Sequence, residues 1–133
     1  VEQRIRNDST VTLVVNNAGL GPKGPMLDAN LDELDTMIDV NVTDDNRLAI
    51  AAAQVFAERG SGSIINVASV DAFIPERSQG TYSATKAFVL NLTLGLHSEV
   101  GGKGVRVQAV LPGLTRTEIF ERAGRSMDAL DPK

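Results

Sequence analysis

The sequence predicts an α/β fold in which helices connect the strands of a parallel sheet. Three short β-rich runs alternate with two long helical stretches, which is the pattern of a parallel sheet with crossover helices. Each run is also nearly continuous in apolar residues, as expected for strands covered on both faces. We therefore expect about three parallel strands, at Val11–Val15, Ser63–Ala68 and Val105–Leu111.

The first helical stretch is predicted from about Leu31 to Arg59. Asn30 is a suitable N-cap, and Gly60 is a suitable stop. A helix of this length exceeds the length of a short strand, so we expect its first half to overhang the sheet and its apolar second half to pack. The poor helix formers of Val40–Thr43 predict a kink near the rim of the sheet.

The second helical stretch is predicted from about Thr81 to Val100, before two glycines. The segments Leu48–Ala57 and Ala87–Leu96 are apolar around much of the helix circumference. Such helices are buried on more than one side. We expect the sheet on one side and another subunit on the other, which predicts a homo-oligomer for the full-length protein.

Composition excludes several classes of protein. The chain has 133 residues, which suits one domain or part of one, and its formal net charge is −4 with scattered basic residues. Nucleic acid is therefore not an expected partner. There is no cysteine, and no apolar run approaches the ~18 residues of a membrane span. We expect a cytoplasmic protein with no metal site and no membrane contact.

Several polar and glycine-rich segments are predicted to meet at one edge of the sheet. Parallel strands point the same way, so the residues that follow them share an edge, where open α/β sheets bind ligands. The helix carrying Tyr82 and Lys86 returns from that edge. The segments that follow the strands are Asn16–Gly19, Ser69 and Pro112–Gly113.

Tyr82 is the only tyrosine in the chain, and Lys86 lies four residues after it. On a helix this spacing places both side chains on one face. An unperturbed phenol has a pKa near ~10, and a neighbouring cation lowers that pKa towards neutrality. The pair therefore predicts a tyrosine that can act as a general acid or base.

Taken together, the motifs resemble those of the short-chain dehydrogenase/reductase family. They occur in the family's order, and Ser69 precedes Tyr82 by the family's usual interval of 13 residues. The resemblance implies a Rossmann-like, doubly wound parallel sheet. The motifs are Asn16-Asn-Ala-Gly19, Asn41 within Val40-Asn-Val-Thr43, Ser69 within Ile65-Asn-Val-Ala-Ser69, Tyr82-x-x-x-Lys86, and Pro112-Gly-Leu-Thr-Arg-Thr117.

The resemblance also implies catalytic roles by position. Tyr82 would protonate a substrate carbonyl oxygen or act as the base in the reverse direction. Lys86 would lower the pKa of Tyr82 and bind the nicotinamide ribose. Ser69 would donate to the carbonyl oxygen. Asn41 would hold a water molecule of a proton relay, although it could also be a helix kink only.

By the same resemblance, the cofactor is NADP or NAD, with NADP favoured, and the substrate is a small carbonyl compound or alcohol. The implied activity is hydride transfer between that cofactor and the substrate. The substrate itself cannot be identified from the sequence. The cofactor-binding residues would be Asn17, Ala18, Gly19, Tyr82, Lys86, Pro112, Gly113, Thr115 and Thr117.

The segment Gly19–Gly24 matches the dinucleotide pattern G-x-G-x-x-G after a strand. That fingerprint needs a helix to begin at once, so that the helix N-terminus meets the pyrophosphate. Pro22 and Pro25 interrupt the segment, and no helix is predicted before about Asn30. We interpret it as a structural loop.

The family's glycine-rich turn and several of its strands have no counterpart in the sequence. We therefore expect residues 1–133 to be the catalytic part of a single domain, with Val11–Val15 as an unpaired edge. Such a fragment is expected to be poorly stable and to bind nicotinamide cofactors weakly. The alternative is a truncated, non-catalytic α/β module that acts as an interaction domain. A helix is also predicted at Thr117–Arg125.

Overall fold

The computed structural model describes residues 1–113 and contains a three-stranded parallel sheet. The strands are β1 (Leu13–Asn16), β2 (Gly62–Val67) and β3 (Val105–Val110), in the order β1-β2-β3. Their register places Val14 beside Ile64, and Ile64 beside Val107. The predicted parallel sheet is confirmed, with strand boundaries within two residues of those expected.

Four α-helices accompany the strands in the described part of the chain. The two longer ones connect successive strands, as the sequence predicts, and the second begins one residue earlier than expected. Short 3₁₀ turns occur at Met26–Asp28, Val70–Phe73 and Gly101–Lys103. The helices are α1 (Glu2–Asn7), α2 (Leu31–Ile38), α3 (Asp45–Arg59) and α4 (Gly80–Val100).

The helical stretch before β2 is interrupted by a π-helical turn at Asp39–Asp44, between α2 and α3. The stretch begins where Asn30 accepts a hydrogen bond from the backbone of Asp32, and it ends at Gly60, whose φ of 72° is left-handed. The predicted kink is confirmed, and its physical form is a π turn.

Helices α3 and α4 pack on one face of the sheet only. With the strands in sequential order, two right-handed crossovers place both helices on the same side. The buried face carries Val14, Ile64 and Val107, which form the core with Phe56 and neighbouring alanines. The expectation that all strands are covered on both faces is wrong for the described residues, because Leu13 and Val15 are about half exposed on the opposite face.

A line of hydrogen-bonded side chains crosses the core beneath the carboxyl edge of the sheet. Asn16 donates from Nδ2 to Oδ1 of Asn66 at 2.9 Å, and Asn66 donates to the hydroxyl oxygen of Thr93 on α4 at 2.9 Å. All three residues are buried. These bonds satisfy polar groups that would otherwise be costly inside an apolar core.

Strand β1 lies at one edge of the described sheet, as the sequence predicts. Within residues 1–113, none of the helices combines the length and the apolar character that crossing a membrane requires.

Candidate active site

The ends of β2 and β3 lie side by side at the carboxyl edge of the sheet. The backbone N–H of Ala68 donates to the carbonyl of Val110 at 2.8 Å, and that of Val70 donates to the carbonyl of Pro112 at 3.1 Å. These two bonds extend the pairing beyond the strands. As a result, Ser69 and Pro112 are brought to the same part of the edge.

Ser69 caps the 3₁₀ turn that follows β2. Its Oγ accepts a hydrogen bond from the backbone N–H of Asp71 at 3.1 Å, and the residue is only 8% exposed. Because the oxygen serves here as an acceptor, the hydroxyl hydrogen remains available for donation to another oxygen. The turn therefore fixes the position of Ser69 and leaves it a donor.

Tyr82 lies in the first turn of α4, where the side chain of Gln79 accepts a hydrogen bond from its backbone N–H at 2.9 Å. Burial raises the pKa of the Tyr82 hydroxyl, a hydrogen bond with Ser69 lowers it, and the charge of Asp71 raises it again, so that the net direction is upward. The expected lowering of this pKa by Lys86 is therefore wrong for this structure, because burial disfavours the phenolate.

Lys86 is buried behind this position, on the same helix. It is 5% exposed, and its Nζ donates to the carbonyl of Val67, at the end of β2, at 3.0 Å. Burial lowers the pKa of Lys86, and the charge of Asp45 raises it. A Cβ built on Gly19 would stand 3.3 Å from Nζ of Lys86, so the ammonium group lies directly beside the segment that follows β1.

Asn41 is fully buried within the π turn. Its Oδ1 accepts from the backbone N–H of Leu20 at 2.8 Å, and its Nδ2 donates to the Leu20 carbonyl at 2.9 Å and to Thr85 at 3.2 Å. The same built Cβ on Gly19 would stand 3.4 Å from Oδ1 of Asn41. Asn41 thus lies at the rim near Lys86, as predicted, while its water-holding role stays a prediction.

The segment after β1 forms the outer wall of the site. Asn17 and Ala18 are exposed and Gly19 is partly buried. An open cleft of about 1140 Å³ lies beside Gly19 and Gln79, between the loop of residues 20–30 and α2. No helix begins within residues 17–25, which confirms that Gly19–Gly24 is a loop.

Some predictions fall outside the described residues. Thr115, Thr117 and the predicted helix Thr117–Arg125 all lie beyond residue 113. Gly113 is exposed at the end of the described chain. In residues 1–113, histidine and acidic side chains do not gather in a group of three or more that could hold a metal ion.

Two residues near the site were not singled out from the sequence. Gln79 was missed because it is the N-cap of α4, which begins one residue before the predicted start of this helix. Asp45 was missed because it lies in the polar run Thr43-Asp-Asp-Asn46, which suggests a solvated surface, whereas the structure buries it to 3% exposure.

Comparisons with known proteins identify relatives over most of the chain. An uncharacterized oxidoreductase of Staphylococcus aureus (strain USA300) is 40% identical over 107 residues, which cover 80% of this chain and 46% of the relative. A short-chain dehydrogenase from Sphingobium yanoikuyae, solved in complex with NADPH, superposes with a TM-score of 0.95 at 42% identity, over 98% of this chain and 51% of that chain.

A bulky-bulky ketone specific alcohol dehydrogenase from Comamonas testosteroni is also similar, with a TM-score of 0.84 and 47% identity over 86% of this chain and 46% of that chain. The chain thus spans about half the length of the proteins that it matches. The architecture is accordingly part of a Rossmann-like α/β fold. Since a family model described as short chain dehydrogenase matches residues 1–128, the chain belongs to the short-chain dehydrogenase family.

Proposed function

We propose that this chain is the catalytic part of a single-domain NAD(P)-dependent oxidoreductase that interconverts a carbonyl compound and an alcohol. The observation that carries the proposal is the placement of Ser69, Tyr82 and Lys86 at the carboxyl edge, where the Ser69 side chain lowers the pKa of Tyr82 and Lys86 lies one helical turn further on. These are the groups that a carbonyl oxygen needs: one proton donor and one further hydrogen-bond donor.

The residues at this edge fit a nicotinamide cofactor. Gly19 lacks a side chain at the point where a Cβ would crowd Lys86 and Asn41, so the backbone here can be approached closely. Lys86 has three N–H donors, and one of them is used on Val67. NADP is the favoured form, because the Sphingobium relative was solved with NADPH.

A bound nicotinamide would supply the hydride, and the residues of the chain would manage position and charge. In the direction of reduction, the Tyr82 hydroxyl gives its proton to the substrate oxygen as negative charge develops there. The hydroxyl of Ser69 donates to the same oxygen and stabilises that charge. Lys86 would bind the ribose through its ammonium group, and Asn41 would hold the water of the proton relay from Lys86.

The proposed cofactor contacts include three groups of residues. Asn17, Ala18 and Gly19 would line the cofactor from the end of β1. Pro112, Gly113, Thr115 and Thr117 would approach its nicotinamide end, by resemblance to the family.

The interaction-module alternative is not favoured, because the relatives are named oxidoreductases and dehydrogenases. The test is an absorbance assay of NADPH and NADH oxidation by the protein that carries this chain, across aliphatic and aromatic ketones. The proposal is supported if the protein reduces at least one ketone, and if Lys86→Met abolishes this activity. The control variant is His97→Gln, at an exposed position of α4, which should keep the activity. No reduction of any ketone with either cofactor contradicts it.

A homo-oligomer is also proposed, through the outer surfaces of α3 and α4. Phe88 on α4 is 38% exposed, and a groove between the helices is lined by Ile50, Ala53 and Leu96, among others. Exposed apolar patches of this kind often mark interfaces. Gel filtration of the protein distinguishes an oligomer from a monomer, and a monomer contradicts this part. A cytoplasmic location stays a prediction.

A further inference from the structure

Asp45 is a buried acidic residue to which the proposed mechanism gives no role. It begins α3 directly after the π turn and is 3% exposed. Among the described residues, no hydrogen-bond donor reaches its Oδ2. A buried carboxylate without such donors is costly to ionise unless a neighbouring charge compensates it.

Asp45 lies on a helical run that packs against α4, the helix that carries Lys86. Asp45 lies four residues after Asn41, which is the spacing of side chains on one side of a helical run. Asn41 in turn donates to Thr85, the residue immediately before Lys86 on α4. The same side of the π turn and of α3 therefore packs against the beginning of α4.

Asp45 and Lys86 do not form an ion pair among the described residues, and their charges act on each other through the space between the two packed helices. Burial raises the pKa of Asp45 to about 6, the Lys86 ammonium lowers it, and Asp44 on the same helical run raises it. In return, Asp45 raises the pKa of Lys86 against the effect of burial. Both residues are 5% exposed or less, so solvent screens their attraction less than it would at the surface.

We propose that Asp45 is a positioning residue whose carboxylate is the buried countercharge that keeps the amine of Lys86 in its ammonium form. The proposal rests on the proposed function, in which this ammonium group binds the nicotinamide ribose. Without Asp45, burial acts on Lys86 unopposed and favours the neutral amine, which is a weaker donor. Protonation of Asp45 removes the same countercharge from Lys86.

The direct test is an NMR titration of the protein that carries this chain, with lysine labelled at Cε. The Lys86 signal is assigned by its loss in Lys86→Arg. We expect a small step near pH 6, where Asp45 titrates, followed by the titration of Lys86 itself at higher pH. In Asp45→Asn the small step disappears, and the Lys86 midpoint moves down by about half a pH unit or more.

Asp44→Asn is the matched control, because Asp44 is the exposed neighbour of Asp45 with the same chemistry. This variant should keep the small step, moved to a lower pH because Asp44 raises the pKa of Asp45, and should leave the Lys86 midpoint within experimental error of wild type. An unchanged Lys86 midpoint in Asp45→Asn, or an equal change in Asp44→Asn, overturns the proposal.

The same coupling can be measured through the titration of Asp45 in a variant of Lys86. Labelling aspartate at Cγ follows Asp45 directly, and Lys86→Met removes the cation while keeping an unbranched side chain. The Asp45 midpoint should rise in Lys86→Met, and an unchanged midpoint overturns the proposal. Neither titration requires cofactor or turnover. Coupling in a protein without oxidoreductase activity would refute only the proposed function, and activity without coupling would refute only the role of Asp45.

Discussion

Asn41 binds the backbone of Leu20 through both ends of its side-chain amide. Its Oδ1 accepts from the Leu20 N–H at 2.8 Å, and its Nδ2 donates to the Leu20 carbonyl at 2.9 Å. A further bond to Thr85 joins the same side chain to α4. One fully buried residue therefore connects the loop after β1, the π turn and the helix that carries Tyr82. The amide belongs to the π turn, and such turns are frequent at functional sites.

Replacement of Asn41 by alanine should loosen the loop and destabilise the fold. The change removes three hydrogen bonds and leaves a gap at a fully buried position, at a cost of roughly 2–4 kcal/mol in the free energy of unfolding. Urea denaturation measures that cost, and hydrogen exchange of the Leu20 amide should become faster.

Asn91→Ala is the matched control, because Asn91 is exposed on α4. Its free energy of unfolding should change by no more than about 0.5 kcal/mol. Equal stability losses in the two variants would show that the hydrogen bonds of Asn41 to Leu20 and Thr85 do not stabilise the fold.

Asp45→Asn should make the protein more stable at neutral pH, although it removes the proposed countercharge of Lys86. The folded state raises the pKa of Asp45 from 3.8 to about 6, so it holds the proton more tightly than the unfolded state does. Ionisation therefore costs stability as the pH rises from 3.8 to about 6, and the full cost remains above that range.

Allowing for partial screening, the gain in Asp45→Asn should be on the order of 2 kcal/mol at pH 7 and should vanish at about pH 4. Thermal or urea unfolding at both pH values measures the difference. Asp44→Asn, which changes an exposed residue, should show no comparable gain. A gain of equal size at both pH values would indicate a cause other than ionisation.

The pKa of Tyr82 predicts a preferred direction for the proposed reaction. Burial, partly offset by Ser69 and reinforced by Asp71, raises that pKa, so the hydroxyl keeps its proton at neutral pH. A protonated phenol can give a proton to a carbonyl oxygen but cannot accept one from an alcohol. Carbonyl reduction should therefore proceed at neutral pH, while alcohol oxidation should accelerate as the pH rises.

Initial rates in both directions across a pH series measure this difference. Ser69→Ala removes a hydrogen bond that lowers the Tyr82 pKa, so any residual oxidation should need a still higher pH. A rate of oxidation that is already independent of pH below about pH 8 would show that the Tyr82 pKa is not raised in the working enzyme.

The backbone of the fold was largely predictable from local sequence. Asn30 caps the start of the helical stretch and Gly60 caps its end, as expected for these residue types. The three apolar runs form the three strands. Burial on both faces was not predictable in this way. The apolar residues of a strand such as Leu13–Asn16 do not show on which face of the sheet helices will pack. In the described residues, the handedness of the two crossovers places the helices on one face only.

The positions of the candidate residues were more predictable than their electrostatics. Strand ends and helical spacing placed Ser69, Tyr82 and Lys86 at one edge of the sheet. The pKa of Tyr82, however, depends on how much of its surroundings is protein, which spacing alone does not reveal. The same holds for Asp45, because nothing in a short polar run shows that one of its carboxylates points into the core.

Tyr82 is the proposed proton donor of an NAD(P)-dependent oxidoreductase. The most direct test of this role is Tyr82→Phe in the protein that carries this chain, with kcat for ketone reduction and Kd for NADPH measured on the same sample. We expect kcat to fall by roughly a hundredfold or more while Kd changes by less than about threefold, because only the hydroxyl is lost. Retention of near wild-type kcat, with cofactor binding intact, would contradict it.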